Sequence, residues 1–422
     1  MGFKIKDVSN QLEVPVSTVR YWQTMFADLV NPERTDGGQR RYSSKDIETF
    51  GKIKELVYGR KMQIERARKI LRQGGGGEAG IDWTDKSILI TGGTGSFGKH
   101  FCRTMLKKYH PKVIRIFSRD ELKQHEMRIE FGDDERLRFF IGDVRDGDRL
   151  RRAMEGVDMV VHAAALKQVP ACEYNPFEAV KTNIHGARNV IDAAIDTRVK
   201  KVIALSTDKA VNPVNLYGAT KLCSDKLFTQ GNAYSATKGT RFSCVRYGNV
   251  IGSRGSVIPL FLKQKESGVL TVTDPRMTRF WITLDEAVEL VIKGFTYMEG
   301  GEIFVPRIPS MLITDLAEAI DPDCELKVIG IRPGEKLHEA LTGEDEGRNT
   351  ISYKGMYVIL PNYSWWEREN YKEATKLPEN FVYTSDQNDS WMSVEQLRRI
   401  VYGEQTPAVR ELPREREVAV AG

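Results

Sequence analysis

Residues 87–98 have the sequence Ser-Ile-Leu-Ile-Thr-Gly-Gly-Thr-Gly-Ser-Phe-Gly. The apolar run Ser87–Thr91 predicts a buried strand, and Gly92, Gly95 and Gly98, spaced G-x-x-G-x-x-G, predict a tight turn into a helix. Glycine permits the left-handed backbone of such a turn and lets a pyrophosphate approach closely, and the helix N-terminus supplies partial positive charge. The stretch therefore predicts a dinucleotide-binding strand-turn-helix unit.

Apolar runs of strand length alternate with amphipathic segments of helix length from Ile88 to about Val291. This alternation indicates βαβ units and a parallel sheet covered by helices on both faces. We expect an α/β fold with a Rossmann-type doubly wound parallel sheet and a smaller C-terminal substrate lobe over about residues 252–346. The predicted strands are Ser87–Thr91, Val113–Phe117, Leu137–Ile141, Met159–His162, Lys201–Leu205 and Phe242–Tyr247.

The end of the second predicted strand distinguishes between the two pyridine dinucleotides. NAD sites commonly place a carboxylate there for the ribose, but this strand ends Phe117-Ser118-Arg119, with Lys123 one turn later. A hydroxyl and two cations favour a 2′-phosphate and hence NADP. The alternative is that Asp120 binds the ribose and Arg119 is solvated. The predicted cofactor-binding residues are Gly92, Thr94, Gly95, Ser96, Phe97, Gly98, Ser118, Arg119, Lys123, Asp143, Val144, Ala163, Ala164, Ala165, Tyr217 and Lys221.

A second motif places acid-base groups downstream of the glycine-rich turn. The sequence Ser-Thr-Asp-Lys-Ala at 206–210 precedes a Tyr-x-x-x-Lys pair, Tyr217 and Lys221. Residues four apart share one face of a helix, so we expect Lys221 to lower the pKa of the Tyr217 phenol and allow proton transfer near neutral pH. The alternative for Asp208 and Lys209 is a surface ion pair. The predicted catalytic residues are Thr207, Asp208, Lys209, Tyr217 and Lys221.

Residues 86 to about 400 resemble an extended short-chain dehydrogenase/reductase, and within that class the inverting UDP-N-acetylglucosamine 4,6-dehydratases. The resemblance rests on the runs 91–98, 163–170, 206–221, 246–250 and 274–280. Related dTDP-glucose dehydratases carry Asp-Glu where this chain has Asp208-Lys209, so the Thr207-Asp208-Lys209 signature is specific. The resemblance implies an NADP-dependent enzyme acting on UDP-N-acetylglucosamine in bacterial surface-glycan or flagellin-sugar biosynthesis.

The resemblance also implies a mechanism. Tyr217, assisted by Lys221, takes the proton of the carbon-4 hydroxyl while hydride passes to NADP. Lys209, when neutral, removes the carbon-5 proton, and Asp208, when protonated, donates to the departing carbon-6 hydroxyl. Hydride returns to carbon 6, and protonation of carbon 5 from the opposite face inverts it. Thr207 or Ser206 donates a hydrogen bond to the carbon-4 oxygen.

A nucleotide-sugar diphosphate needs cations, and polar groups must line the sugar end of the site. For each such residue a structural salt bridge is the alternative. Two other functions stay open: a transcription regulator whose dehydrogenase-like domain senses NADP or nucleotide-sugar, and a UDP-sugar 4-epimerase. An epimerase needs no carbon-5 base. The residues that the resemblance assigns to the substrate are Lys167, Asn249, Arg254, Arg279 and Arg332.

Charge and composition divide the chain into parts. Residues 1–73 contain 15 Lys and Arg against 9 Asp and Glu, although the net charge of all 422 residues is only +5. Four consecutive glycines at 74–77 predict a flexible linker. We expect a DNA-binding domain at 1–73, a linker at 74–85, the dehydrogenase domain at 86–405 and a disordered tail at 406–422.

The composition also favours certain classes of protein over others. No apolar run reaches the roughly 20 residues that span a bilayer, and the N-terminus lacks an apolar signal segment, so we expect a soluble cytoplasmic protein. The five cysteines show no C-x-x-C spacing, so we expect free thiols and no metal site. By analogy with extended dehydrogenases, we expect at least a homodimer.

The basic N-terminal segment has the pattern of a winged helix-turn-helix. Apolar positions predict a helix at Ile5–Leu12 and a second one that Ser17 caps, with Val19, Trp22 and Phe26 inward. Residues 3–72 resemble the DNA-binding domain of MerR-type regulators, although a glycine run replaces the usual dimerising coiled coil. A helical bundle for protein contacts is the alternative. The predicted DNA-binding residues are Ser17, Thr18, Arg20, Tyr21, Arg34, Arg40, Arg41 and Tyr42.

Overall fold

The computed structural model describes residues 2–30, 32–34, 38–59, 64, 67, 71, 81–235, 237–252, 257–363, 366 and 371–402. The chain divides into two compact units, Met1–Asp82 and Trp83–Gly422. The glycine run at 74–77 and the tail at 406–422 lie outside the described residues. The predicted domain limits at residues 73, 85 and 405 stay predictions.

The N-terminal unit combines short helices with a hairpin. Ser43 caps the third helix through a reciprocal bond with Asp46, which satisfies free N–H groups at the helix start. Its described elements are α1 (Ile5–Leu12), α2 (Val16–Met25), β1 (Glu33–Arg34), β2 (Arg40–Arg41), α3 (Ser44–Lys54) and a π-helical turn at Glu55–Gly59.

The core of this unit is built by the apolar face of α2. Val19, Trp22 and Phe26 are buried, as predicted. The predicted N-cap at Ser17 is wrong: α2 begins at Val16, and Pro15 is the cap residue without a side-chain hydrogen bond. Proline fixes the backbone angle at the start of the helix, so the helix begins before Ser17.

The C-terminal unit contains a long sheet with helical crossovers. Its strands are β3 (Ser87–Thr91), β4 (Val113–Ser118), β5 (Leu137–Ile141), β6 (Met159–His162), β7 (Lys201–Thr207), β8 (Arg241–Tyr247), β9 (Asn249–Val250), β10 (Val269–Val272), β11 (Thr278–Ile282), β12 (Ile303–Pro306), β13 (Ser310–Leu312), β14 (Glu325–Val328), β15 (Ala340–Thr342), β16 (Thr350–Tyr353), β17 (Met356–Ile359), β18 (Thr375–Lys376) and β19 (Tyr383–Thr384).

The helices of this unit include the crossovers between those strands. Three π-helical or 3₁₀ segments accompany them in the described residues, at Met105–Tyr109, Lys181–His185 and Asp208–Ala210. The α-helices are α4 (Ser96–Thr104), α5 (Glu121–Glu130), α6 (Gly147–Met154), α7 (Val169–Tyr174), α8 (Pro176–Val180), α9 (Gly186–Asp196), α10 (Leu216–Ser235), α11 (Val257–Lys265), α12 (Leu284–Tyr297), α13 (Ile313–Ile320), α14 (Glu344–Gly347) and α15 (Val394–Tyr402).

The main sheet is doubly wound. Its strand order is β18-β16-β17-β12-β8-β7-β6-β3-β4-β5, and the pairs from β12 to β5 are parallel. The chain order reverses beside β3, because β4 and β5 lie on one side of it and β6 to β8 on the other. Ligands bind at such a reversal, outside the carboxyl ends of the strands. The predicted fold class is confirmed, and the six predicted strands occur with ends shifted by at most two residues.

The C-terminal part of the chain contributes more to the main sheet than the sequence predicted. The strand Ile303–Pro306 pairs in parallel with β8, and three antiparallel strands extend that edge. The other segments form a lobe with its own core, which includes Phe261, Trp281 and Leu316. Strands of two to four residues carry little periodicity, so pairing with β8 decides their position. No helix among the described residues has both the length and the apolar character that a membrane crossing requires.

Candidate active site

A cleft of about 790 Å³ lies at the carboxyl ends of β3, β4, β6 and β7. Every predicted cofactor-binding residue lines it, as do the five predicted catalytic residues. The strand reversal therefore brings the glycine-rich turn and the Tyr-x-x-x-Lys pair to one cavity, although they are far apart in sequence.

The glycine-rich turn fits a dinucleotide pyrophosphate. Gly92 has φ +66°, and a Cβ there would lie 3.0 Å from the backbone of Ala164. A Cβ at Gly98 would lie 2.4 Å from the carbonyl oxygen of Gly93, so only glycine allows α4 to begin this close to the turn. Gly95 caps α4 without a side-chain bond, which leaves the first helical N–H groups for a phosphate.

The end of β4 carries the hydroxyl and cations that the sequence predicted at the adenosine ribose. Thr94 Oγ1 and Ser118 Oγ are 2.8 Å apart, which joins the glycine-rich turn to the end of the strand. Arg119 lies 3.6 Å from Asp143, and Lys123 lies 2.7 Å from Asp120. Asp120 also accepts the backbone N–H of Lys123 as the N-cap of α5. That carboxylate is therefore already bound within the protein.

The acid-base pair is built by a 3₁₀ turn that follows β7. Thr207 Oγ1 donates to Asp208 Oδ1 at 2.9 Å, and Lys209 Nζ donates to the same oxygen at 3.1 Å. The helix α10 packs directly on this turn: a Cβ at Gly218 would lie 2.1 Å from the carbonyl oxygen of Lys209. The glycine beside Tyr217 therefore lets the phenol and the Asp208-Lys209 pair share one site.

The pKa of Tyr217 differs from the sequence-based expectation. Burial raises the pKa of Tyr217 to about 12, although Lys209 and a hydrogen bond with Thr207 act in the opposite direction. The prediction of a lowered phenol pKa is therefore wrong for this structure, because removal from water disfavours the phenolate more than the cation stabilises it. Lys221 is buried, and burial lowers its own pKa against the influence of Asp225.

The charges around Lys209 favour its protonated form. Burial would lower its pKa, but the carboxylates of Asp208 and Glu339 outweigh burial and hold the pKa above its usual value. The sequence-based mechanism required a neutral Lys209, so a proton must leave this amine before it can act as a base.

Two carboxylates of the site were missed at the sequence level. Glu339 lies 3.3 Å from Lys209 Nζ, and Asp225 accepts a hydrogen bond from Ser206 Oγ at 2.6 Å. Arg246 is 1% exposed and joins Asp225 on α10 to Glu346 on α14. The only local signals were the position of Asp225 one turn after Lys221 and the i,i+3 spacing of Glu339 from Lys336.

The predicted substrate residues have different surroundings. Lys167, Asn249 and Arg332 line the cleft. Arg254 lies outside the described residues. Arg279 does not line the cleft: its guanidinium donates to the carbonyl oxygens of Thr278, Leu337 and Lys336, and it is 12% exposed. These contacts give Arg279 a structural role, which was the alternative to substrate binding, so we withdraw Arg279 as a diphosphate ligand.

The N-terminal unit presents part of its predicted DNA-binding set to solvent. Ser17, Arg20, Tyr21 and Arg40 are exposed, whereas Thr18 and Arg41 are half-buried. Tyr42 is 0% exposed, and its hydroxyl donates to Gln23, so its prediction as a DNA-contacting residue is wrong. Tyr42 completes the core against Phe50 because β2 turns its side chain inward. The side chain of Arg34 lies outside the described residues.

The fold and the cleft define an extended short-chain dehydrogenase/reductase that uses a nicotinamide cofactor. Residues 88–361 match a family model described as polysaccharide biosynthesis protein, and residues 3–74 match the MerR HTH family regulatory protein model. The chain therefore belongs to the polysaccharide biosynthesis protein family, and it is an enzyme.

Two related proteins each match about three quarters of this chain. An inverting UDP-N-acetylglucosamine 4,6-dehydratase from Campylobacter jejuni is 53% identical over 325 residues, 75% of this chain and 97% of that protein. A UDP-glucose 4-epimerase from Rickettsia conorii is 44% identical over 76% of this chain and 96% of its own length.

Solved structures agree on the fold. Pen from Bacillus thuringiensis matches with TM-score 0.70 and 42% identity, over 76% of this chain and 99% of that one. A dTDP-glucose 4,6-dehydratase from Streptomyces venezuelae, solved with NAD and TYD bound, matches with TM-score 0.54 and 25% identity, over 60% and 86% of the two chains.

Proposed function

We propose that this chain is an inverting UDP-N-acetylglucosamine 4,6-dehydratase that uses NADP and serves bacterial surface-glycan or flagellin-sugar biosynthesis. One observation carries the proposal: the Asp208-Lys209 pair lies in the same cleft as Tyr217 and the glycine-rich turn. An acid and a base beside a dinucleotide site are what removal of water from carbons 5 and 6 of a 4-keto sugar requires. The 53% identity to the Campylobacter jejuni dehydratase supports the substrate.

A bound nicotinamide dinucleotide would supply the acceptor for the carbon-4 hydride, the donor of that hydride to carbon 6, and a positive ring beside Tyr217. The residues in contact with it would be those of the turn 92–98 and of the end of β4. Tyr217 accepts the proton of the carbon-4 hydroxyl in this scheme, and Lys221 steadies the phenolate from the next turn of α10. Thr207 orients Asp208 through the bond at 2.9 Å.

The acid-base pair needs a single internal proton transfer to become active. The raised pKa of Lys209 favours the proton on its amine, and transfer across the 3.1 Å contact gives neutral Lys209 and protonated Asp208. Lys209 then takes the carbon-5 proton, and Asp208 gives its proton to the carbon-6 oxygen, which leaves as water. The carbon-5–hydrogen and carbon-6–oxygen bonds break, a double bond forms between the two carbons, and the pair returns to its starting protonation.

The choice of NADP over NAD rests on the end of β4. Arg119 and Lys123 both line the cleft and are about half exposed, so each can turn towards a 2′-phosphate. Asp120, the alternative ribose ligand, also lines the cleft, but as the N-cap of α5 it accepts the backbone N–H of Lys123 at 3.0 Å. Competition between NADP and NAD for the purified protein tests this choice directly.

Conversion of UDP-N-acetylglucosamine tests the function. We expect NADP-supplemented protein to yield a 4-keto-6-deoxy sugar with inverted carbon 5 and with solvent deuterium at that carbon. The Lys209→Met variant is the matched control, since it keeps the fold of the turn but lacks the base. A product that differs from the substrate only at carbon 4 would instead favour the 4-epimerase that the Rickettsia conorii relative suggests. Saturable binding without product would favour a sensor.

The N-terminal unit is proposed to bind DNA through α2 and the β1–β2 hairpin. Arg20 and Tyr21 are exposed on α2, and Arg40 is exposed on the hairpin. The match to the MerR HTH model supports this assignment. A gel shift with promoter fragments should weaken steeply as salt is raised, because bound phosphates release counterions. An affinity that does not depend on salt would contradict it.

The proposed assembly is at least a homodimer in the cytoplasm. Tyr174 is 88% exposed and Phe177 is 76% exposed, on α7 and α8, which contact the catalytic helix α10. Apolar rings that remain exposed beside this helix are typical of a surface that a second copy covers. Sedimentation of the purified chain measures the mass, and a monomer at micromolar concentration would contradict the proposal.

A further inference from the structure

Glu339 is a buried carboxylate that the mechanism above does not use. It is 3% exposed, and its Oε1 lies 3.3 Å from Lys209 Nζ. It is not among the residues that line the cleft, whereas Lys209 is. A group in that place acts through Lys209 and not on the substrate.

The backbone at Glu339 is held firmly. Its N–H donates to Ser385 Oγ at 2.9 Å, and its carbonyl oxygen accepts the N–H of Ser385 at 2.8 Å. Ser385 is fully buried, and its hydroxyl is 2.7 Å from that of Thr278. These bonds fix the start of β15, and with it the direction in which the carboxylate points.

The charges around Lys209 come from several elements. Burial lowers the pKa of Lys209, the carboxylates of Asp208 and Glu339 raise it, and Arg279 lowers it. Arg279 and Lys336 also lie near Glu339, at 3.9 and 3.8 Å, but Arg279 donates to backbone carbonyls and Lys336 donates to Val211. Lys209 is therefore the cation closest to Glu339 among the described residues. Lys167 and Tyr217, the other titratable groups near Lys209, approach it from the cleft side.

We propose that Glu339 is a positioning residue for the carbon-5 base: it holds the amine of Lys209 beside Asp208 and stabilises its protonated form. This inference rests on the proposed dehydratase function for its role in turnover. Two carboxylates flank one amine, and each has an oxygen without a hydrogen-bond partner in the described structure, Asp208 Oδ2 and Glu339 Oε2. Because Lys209 is nearer to Glu339 than Arg279 or Lys336 is, the buried carboxylate attracts the Lys209 ammonium most strongly.

The consequence for the reaction concerns the strength of the base. An anion behind Lys209 makes the amine hold the carbon-5 proton more tightly, and makes its own deprotonation occur at higher pH. Burial and then the Asp208 charge raise the pKa of Glu339, and Lys209 opposes them, so the role applies at pH values where Glu339 is ionised. Glu339 then keeps its own state while the proton moves between Lys209 and Asp208, and the proton balance is unchanged. Loss of the anion should leave a weaker base that is free at lower pH.

The test compares Glu339→Gln, Glu339→Asp and the unchanged enzyme with NADP and UDP-N-acetylglucosamine. The rate at which the carbon-5 hydrogen exchanges with solvent should rise with pH to a plateau. For Glu339→Gln we expect this rise to occur at lower pH. We also expect the plateau rate to fall about tenfold, because a weaker base abstracts the proton more slowly. Glu339→Asp should restore the position of the rise in part. Glu302→Gln removes another fully buried carboxylate, one bonded to Ser243 and the N–H groups of Glu299 and Gly300, and should leave the position of the rise unshifted.

A second measurement does not need turnover. A small amine-reactive reagent acylates Lys209 only while its amine is neutral. Acylation of the substrate-free full chain at a series of pH values, followed by peptide mass spectrometry, therefore reports the fraction of neutral amine. Faster acylation of Lys209 in Glu339→Gln, with other lysines unchanged, would support the inference even if UDP-N-acetylglucosamine proved not to be the substrate. An unshifted acylation profile would overturn it. So would a loss of exchange rate in Glu339→Gln without a shift of the pH dependence, since that is a merely structural effect.

Discussion

The two ends of the cleft are built from different materials. At the cofactor end, the glycine-rich turn consists of backbone and small residues, and the close approach of Gly92 to Ala164 needs no side chain. The reaction end consists of buried charges from distant segments, where Lys209 is flanked by Asp208 and Glu339. Shape therefore determines the glycine-rich turn at the cofactor end, and interactions between buried charges determine the reaction end. The two ends should respond differently to substitution.

Removal of the base should give the largest effect at the reaction end. We expect Lys209→Met to slow formation of the keto-deoxy product by about 10²- to 10⁴-fold, the range found for loss of a general base. Reduction of the cofactor by the substrate should persist, because Tyr217 and Lys221 remain. Single-turnover absorbance of the reduced cofactor measures the first step, and equal loss of both steps would contradict this division of roles.

A methyl group at the cofactor end should act through shape. Gly98→Ala places a Cβ 2.4 Å from the Gly93 carbonyl oxygen, so the turn or α4 must shift. We expect a loss of about 1–3 kcal/mol in unfolding free energy, together with weakened dinucleotide binding. Gly147→Ala is the control at another glycine in the first turn of a helix, where the nearest atoms to the added Cβ lie 3.7 Å away. Denaturant titration measures the unfolding free energy of each variant, and fluorescence measures its cofactor affinity. Equal cofactor affinity in the two variants would contradict this prediction.

Arg119, the cation at the ribose end of the cleft, should contribute to the preference for NADP over NAD. Arg119→Ala should weaken NADP by about tenfold and NAD by much less, since a hydrogen bond to a charged group contributes about 1.5–3 kcal/mol. Arg138 lies on the edge strand β5 outside the cleft, so Arg138→Ala is the matched control. If NAD binds the unchanged protein more tightly than NADP, the proposed preference is wrong.

The expected effect that is smallest at neutral pH, and grows only in acid, is a pH dependence of stability set by His162 beneath the cofactor end. His162 is 1% exposed, its Nδ1 is 2.8 Å from Thr91 Oγ1, and burial, then Lys221, lowers its pKa to about 3. The unfolded chain takes up a proton near pH 6.5 and the folded chain does not, so stability is present above that pH and is lost progressively towards pH 3. His162→Gln should flatten this part of the stability curve, as measured by denaturant midpoints. An unchanged slope would show that other groups dominate.

The sequence predicted the local features of the molecule far better than the distant ones. Strands such as Leu137–Ile141 and the glycine-rich turn follow from a few neighbouring residues, and the structure confirms both. Tyr42 and Arg279 were predicted wrongly because residue type suggests a contact but only packing decides whether the side chain faces inward. Glu339 was missed because its partner, Lys209, lies far away along the chain.

The bond network of Arg246 has a consequence for how this unit comes apart. A buried guanidinium joins the helix of the Tyr-x-x-x-Lys pair, through Asp225, to α14, through Glu346. Loss of both carboxylates would leave a cation unpaired in the interior, and breaking a buried ion pair costs roughly 3–5 kcal/mol. Separation of α14 from α10 would break this network, so we expect heating to melt the dehydrogenase unit in one cooperative transition.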